Sequence, residues 1–267
     1  MTERIALVTG ATDGIGRQTA HQLKKLGWTV VVHGRTEAKV SAVLAELSDV
    51  KAGRALPAVA DLGSQRQIRT LAERLQGELP RLDVLLNNAG VFLKERQLSE
   101  DGIELTLAVN HLAPVLLTRL LEPLLTAAPS RVINVASVAH QRALLDLDDV
   151  QLRQGFEGYR AYANSKLCNV LHANTLARLV PKERYTANAL HPGVIGTKFL
   201  ATGFGMDGAS VESGARTSLA AATAPELAEV TGAYLVDGVV SRASAAARDR
   251  RIQDALWQVS LQLIGEA

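Results

Sequence analysis

The chain of 267 residues holds a single cysteine, Cys168, so it can form no internal disulfide and no cysteine-based metal site. Its six histidines are scattered without an H-x-x-x-H pair, and no metal is expected. Charge of one sign is scarce too. Basic residues number 29 and acidic residues 27, and the net charge of +2 comes with no basic run, so a nucleic-acid surface lacks its electrostatic footprint. An uninterrupted apolar span is also missing. The longest apolar-rich stretch, Ile103 to Leu125, is broken by Glu104, Asn110, His111, Arg119 and Glu122, which predicts a buried amphipathic helix and no membrane span. The opening "MTERIALVTG" enters an apolar segment directly, without the charged start and apolar middle of a signal peptide, and a cytoplasmic location is expected. Cys168 is expected as a buried, inert thiol.

What is present is a globular composition, 47% hydrophobic and 21% charged, of a length that one large α/β domain can use. Short apolar runs alternate with helical patterns. "IALVTG", "WTVVVHGR", "LPAVADL", "LDVLLNNAG", "RVINVAS", "YTANALHPG" and "GAYLVDG" read as seven strands. Segments such as "GRQTAHQLKKLG" and "SQRQIRTLAERLQGEL" read as the helices between them. The alternation predicts a single doubly wound Rossmann-type domain over 1–267, with a mostly parallel sheet and helices on both faces. A substrate lid is expected at about 197–224, least regular from Thr197 to Ser213, and a C-terminal extension from about 239.

The first strand ends in "VTGATDGIGR", with glycines at 10, 14 and 16. Glycines after a strand and before a helix allow a tight turn and let backbone approach a pyrophosphate at the helix N-terminus. Gly10, Gly14 and Gly16 are therefore candidate phosphate-loop residues. The second strand ends "VVVHGRTE", where an acidic side chain would suit a ribose 2′-hydroxyl and an arginine a 2′-phosphate. Arg35 favours NADP(H) over NAD(H). Asp13 and Glu37 argue the other way, unless each is a helix cap or a solvated charge. Asp61, in "VADLG", reads equally as an adenine ligand or a turn-former.

The fourth strand ends "LLNNAG" and the fifth "INVASVAH", which brings Ser137 to the same sheet edge. The helical pattern "GYRAYANSKLCNVLHANTLARLV" places Tyr162 and Lys166 four residues apart on one face. A phenol titrates near pH ~10. An ammonium ~4 Å away in a partly shielded site is worth about 4 kcal/mol, enough to draw the phenol down by roughly three pKa units. Tyr162 is then a candidate general acid or base, with Ser137 holding the substrate oxygen. His140 reads as a pocket residue or a surface one, and His191 as structural.

Taken in order, "TGATDGIG", "NNAG", "VNHLAP", "INVAS", "YANSK" and "HPGVIGT" resemble the short-chain dehydrogenase/reductase family from Ile5 to about Gly265. "VNHLAPVLLTRLL", "SKLCNVLHANTLARLV", "NALHPGVIGTKF" and the tail "ARDRRIQDALWQVSLQLIG" resemble its retinol-dehydrogenase-like branch, without that branch's membrane anchor. The resemblance implies Ser137, Tyr162 and Lys166 as catalytic residues, and Asn110 as the fourth member of a proton relay. It implies cofactor contacts from Gly10, Gly14, Ile15, Arg35, Asp61, Leu62, Asn88, Gly90, Tyr162, Lys166, Pro192, Val194 and Thr197. It implies an NADP(H)-dependent oxidoreductase, and a homodimer paired through the helices of Ile103 to Leu125 and Arg160 to Val180. The substrate expected is an apolar carbonyl or alcohol, held by several of Phe92, Leu93, Leu144, Leu145, Phe156, Phe199, Leu200, Phe204 and Met206. Two alternatives stay open: a non-catalytic NADP(H)-sensing or scaffold protein on the same fold, and an NAD-dependent alcohol dehydrogenase.

Overall fold

The computed structural model describes residues 3–127, 129–197 and 207–266. Within them, β1 (Ile5–Val8), β2 (Thr29–Gly34), β3 (Arg54–Val59), β4 (Val84–Asn87), β5 (Ser130–Val135), β6 (Tyr185–His191), β7 (Tyr234–Val236) and β8 (Val239–Ser241) form one sheet. Its order is β3-β2-β1-β4-β5-β6-β7-β8. All neighbours pair in parallel except β7 and β8. The central strands "IALV" and "VLLN" are buried along their whole length, as parallel strands covered on both faces must be.

The expected count of seven strands is corrected to eight. The two-residue turn Asp237-Gly238 has positive φ at both positions, 51° and 79°, and folds "VVS" back antiparallel onto β7. Three residues are too few for an alternation pattern to show, so the sequence alone places them in the C-terminal extension.

Helices α1 (Gly14–Lys25) and α2 (Glu37–Ser48) cover one face of the sheet, and α3 (Gln65–Glu78) covers the other. After β4 the chain forms α4 (Leu105–Leu107), a π-helical turn at Ala108–Leu112, α5 (Ala113–Leu120) and α6 (Glu122–Leu125). The single amphipathic helix expected there is therefore interrupted. It is also buried on all sides from Thr106 to Thr118, because α3 packs on one flank and α7 (Gly158–Leu179) lies beside the other. Then α8 (Val211–Thr223) joins α1 on the first face. Residues 198–206 of the expected lid lie outside the described residues. The second half of the segment expected as a lid forms α8, which packs on α1 with Gly214 against Ile15.

The chain ends in α9 (Ala245–Arg248) and α10 (Arg250–Leu263). α10 packs on α7, and its Trp257, Leu261 and Leu263 join the cluster that holds Leu112 and Leu116. Its C-terminus is latched. Arg69 donates to the Ile264 carbonyl (2.7 Å), Gln65 donates to the Leu263 carbonyl (2.8 Å), and Glu266 pairs with Arg69 and Arg119 at 2.8 and 3.3 Å. The helical faces expected to pair two copies are thus covered by the chain's own last helix. Among the described residues no helix is long and apolar enough to cross a membrane.

Candidate active site

Strand order reverses between β1 and β4, so their carboxyl ends part the loops and open a crevice. Thr9 joins the two ends. Its amide donates to Leu86 O (3.0 Å), and its hydroxyl accepts from the amides of Asn88 (2.9 Å) and Ala89 (3.0 Å). Asn88 Nδ2 returns two hydrogen bonds, to Thr9 O (2.8 Å) and Gly10 O (3.2 Å). Gly10 turns at φ 63°, and a Cβ on Gly16 would collide with Gly10 O and Asn88 Nδ2. The loop therefore keeps a close cradle open at the N-terminus of α1, which fits a pyrophosphate. Asp13 accepts the Gly14 amide at 2.8 Å as the N-cap of α1, and it also lines the cleft described below.

Sequence reasoning missed His33. Its Nδ1 accepts the Gly10 amide (3.2 Å), which places the proton on Nε2 to donate to Ala60 O (3.1 Å). The ring ties the ends of β1, β2 and β3 under the crevice, and burial pushes its pKa down to about 4. A histidine inside the apolar run "VVVHG" was the available signal.

One cleft of about 800 Å³ runs along this edge. Gly10, Gly14, Ile15, Gly16, Arg35, Asp61, Leu62, Asn88, Gly90, Pro192, Val194 and Thr197 all line it, as do Ser137, Tyr162 and Lys166. Asp61 serves the turn, its Oδ1 accepting the Gly63 amide at 2.8 Å, while also lining the cleft. Lys39, another residue the sequence reading missed, lines the same end as Arg35, one helical turn on in α2. Glu37 is not among the lining residues.

At the other end, Glu157 caps α7 by accepting the amides of Tyr159 and Arg160, both at 3.0 Å. That fixes the register from which Tyr162 and Lys166 reach the cleft. Tyr162 is hydrogen-bonded to Ser137, whose own hydroxyl accepts the Ala139 amide at 3.2 Å. Lys166 Nζ donates to Val135 O at 2.8 Å. The expected lowering of the phenol's pKa does not occur. Burial raises Tyr162 to about 12, with the Ser137 bond opposing, and burial alone lowers Lys166 to about 8. Taking each side chain out of water penalises its charged form, and a nearby Tyr159 adds to the rise at Tyr162.

Asn110 does not line the cleft. It is buried in the π-helical turn behind Gly90, donating to Ser165 Oγ (2.9 Å) and Val91 O (3.0 Å) and accepting the Val91 amide (2.7 Å). A Cβ built on Gly90 would lie 3.4 Å from both Asn110 Oδ1 and Lys166 Nζ, so both side chains close in on this glycine. A π-helical turn is a recurrent device for presenting a functional side chain from an otherwise regular helix.

His140 is neither a pocket wall nor a surface residue. It is buried, its Nδ1–H donating to Ser137 O (2.7 Å) and its Nε2 accepting the Ser244 amide (3.2 Å). His191 lines the cleft and accepts the Val138 amide at 3.3 Å. Cys168 is buried, and burial pushes its thiol up to about 12. Of the expected apolar substrate wall, Phe92, Leu93, Leu144, Leu145 and Phe156 do not line the cleft; Phe92 instead packs edge-on against Tyr162 at 5.9 Å. Phe199, Leu200, Phe204 and Met206 lie outside the described residues. The apolar lining that is described includes Val138, Ala139, Val194 and Ile195.

The family model for short chain dehydrogenase matches residues 4–204. A polyprenol dehydrogenase of Mus musculus is 40% identical, aligned over 98% of this chain and 84% of its own length. Retinol dehydrogenase 12 of Mus musculus is 34% identical over 98% of this chain and 86% of its own. Among solved structures, an uncharacterized protein from Mycobacterium Paratuberculosis has a TM-score of 0.84 at 30% identity, covering 99% of this chain and 94% of its own. The Pseudomonas aeruginosa RhlG/NADP active-site complex has a TM-score of 0.71 at 27% identity, covering 88% and 95%.

Proposed function

The chain belongs to the short chain dehydrogenase family, and from that premise we propose that it is an NADP(H)-dependent oxidoreductase interconverting an apolar carbonyl and its alcohol, with Tyr162 as general acid and base. The observation that carries the reading is the meeting of Ser137, Tyr162 and Lys166, from two separate elements, on one wall of the glycine-cradled cleft. When bound, the dinucleotide supplies or takes the hydride. The chain's own groups manage the oxygen and its proton. Ser137 holds the substrate oxygen by a hydrogen bond. Tyr162, raised to about 12, is a protonated phenol at neutral pH and donates to the developing alkoxide. Lys166, cationic below about pH 8, keeps positive charge beside the donor.

Preference for NADP(H) rests on Arg35 and Lys39 together, two cations at the end of the cleft where a 2′-phosphate would lie. The solved relative with NADP supports the same choice. Relatives named for polyprenol and retinol support a long apolar alcohol or its aldehyde. The exposed valines at the cleft, Val138 and Val194, give such a chain apolar surface to lie on. Residues 197–224 are proposed as the substrate-covering segment. Its base is closed by the Ile195–Ala209 bridge, with Gly196 N donating to Ala209 O at 2.8 Å.

The test is NADPH consumption with a panel of aldehydes and ketones, NADH in parallel and Tyr162→Phe as comparison. The expected result is turnover with NADPH that drops by about 10²–10⁴-fold in the variant while cofactor binding persists. Equal turnover in the variant removes Tyr162 from its role.

A further inference from the structure

α10 lies beyond the family match at 4–204, yet it touches both elements that carry the inner catalytic groups. The contact is made through two buried histidines. His111 follows Asn110 in the π-helical turn, and His172 lies further along α7 than Lys166. Their rings meet edge to face, centroids 6.2 Å apart. Ser260 of α10 sits 2.7 Å from His111 Nε2, and Trp257 of α10 stacks on His172 at 6.1 Å, 15° from parallel.

The hydrogen bonds fix both tautomers. Ser260 donates its hydroxyl proton to Leu256 O (2.7 Å), so it accepts from His111, which carries its proton on Nε2. Asn134 Nδ2 donates to His172 Nδ1 (3.1 Å), so His172 carries its proton on Nε2. From Asn134 the network runs back to the catalytic edge. Its Oδ1 accepts from Asn87 Nδ2 (2.9 Å), and its Nδ2 also reaches Asn169 O (3.1 Å). Asn169 Nδ2 donates to Val135 O (3.3 Å), the same carbonyl that receives Lys166 Nζ. His111 Nδ1, His172 Nε2, Asn87 Oδ1 and Asn169 Oδ1 are buried with no hydrogen-bond partner among the described residues. Each such atom costs about 1–3 kcal/mol, and apolar side chains of the same shape would pack here without that loss.

We propose that His111, His172, Trp257 and Ser260 are positioning residues for catalysis, through which α10 holds the π-helical turn and α7 at the spacing that keeps Asn110 and Lys166 together beside Gly90. The proposal rests on the oxidoreductase reading above. It explains a polar layer between helices that the reaction itself does not use, and it gives the C-terminal helix a role that the matched family region does not contain.

Three variants test it: Ser260→Ala, its conservative partner Ser260→Thr, and His172→Phe, which keeps a ring against Trp257 but loses the acceptor for Asn134. The expected result is a kcat lower by about fivefold or more in Ser260→Ala and His172→Phe, since small displacements at a reacting centre are expensive. KM for NADPH stays within about twofold, because the cradle at Gly10 is untouched. Ser260→Thr restores kcat. A fall in melting temperature with kcat unchanged and no rescue overturns the proposal.

A second readout needs no turnover. The groups facing Lys166 are Tyr162 on its own helix, the Val135 carbonyl of β5, Asn110 of the π-helical turn and Gly90 after β4. Of these only Tyr162 titrates. With ¹⁵Nζ-lysine NMR, the Lys166 midpoint is expected to move by about half a pH unit or more in Ser260→Ala and in His172→Phe. An unmoved midpoint in both overturns the coupling. Absence of turnover in the wild-type chain would instead count against the oxidoreductase reading and leave this titration to decide the role of α10.

Discussion

Lys166 holds its ammonium over the face of Tyr162, 5.6 Å from the ring centroid, while donating to the Val135 carbonyl. The pair therefore rests as a neutral phenol and a cation. Lys166 is a base whose pKa is lowered to about 8, so its charge is present below that pH and lost above it. Carbonyl reduction should run on a plateau at neutral pH and fall as pH rises through about 8. Lys166→Arg, which stays charged, should remove the falling limb while lowering the plateau. A kcat profile for wild type and variant checks this, and a limb that survives in Lys166→Arg assigns it to another group.

Cofactor choice is expected to divide between Arg35 and Lys39. Each charge-assisted contact to a phosphate is worth about 1.5–3 kcal/mol when well formed, and less at an exposed site such as this one. Arg35→Ala and Lys39→Ala should each raise KM for NADPH by roughly tenfold and leave KM for NADH within about twofold. Equal loss for both cofactors would show that these side chains support the loop and not the 2′-phosphate.

How far the sequence could go is visible in these same residues. The phosphate loop was legible because glycine at positions 10 and 16 answers a local requirement, a left-handed turn and a close backbone approach. The Tyr162–Lys166 pairing was legible because helical spacing fixes it. The direction of the Tyr162 shift was not, since a sequence shows charges but not burial, and burial decides here. Lys39 and His33 were missed for a different reason: one looks like any exposed lysine of an amphipathic helix, the other like a stray polar residue in a strand. β8 fell below the length at which a pattern exists. The partners of His140 and His111, Ser244 and Ser260, are more than a hundred residues away in sequence.

Gly16→Ala should abolish cofactor binding with little loss of fold. The added methyl would meet Gly10 O and the Asn88 amide, both parts of the cradle, and only the loop can give way. Cofactor titration by quenching of intrinsic fluorescence, beside a thermal melt, separates the two effects. Near-normal NADPH affinity in this variant would mean that the turn relaxes without closing the cradle.

Acid should weaken the fold earlier than the carboxylates require. His33, His111 and His172 are held neutral by burial, with pKa values pushed from the ordinary 6.5 to about 4, about 3 and about 3. In the unfolded chain each binds a proton below about pH 6.5, and in the folded chain it does not. Their contribution is complete above that pH and is lost as pH falls toward the folded values. At pH 5 each costs about 2 kcal/mol, and the three together lower the melting temperature by roughly 10–20 °C. His172→Phe should flatten this slope. A melting temperature that stays level from neutral pH down to about pH 5 is incompatible with three buried neutral histidines.

The last prediction concerns association. A homodimer paired through the helices around Asn110 and Lys166 needs surface that α10 already occupies with Trp257, Ser260 and Leu261. One patch cannot pack against α10 and a second copy together. The full chain should therefore run at its monomer mass of 28.5 kDa in size-exclusion chromatography with light scattering. A chain stopped after Arg248 loses α10, uncovers the apolar side of Leu112 and Leu116, and should associate or precipitate. If the full chain runs at twice the monomer mass, the pairing uses another surface. The edge strand β8, with Val239 and Val240 exposed at 63% and 60%, is then the first place to introduce a charge and look for dissociation.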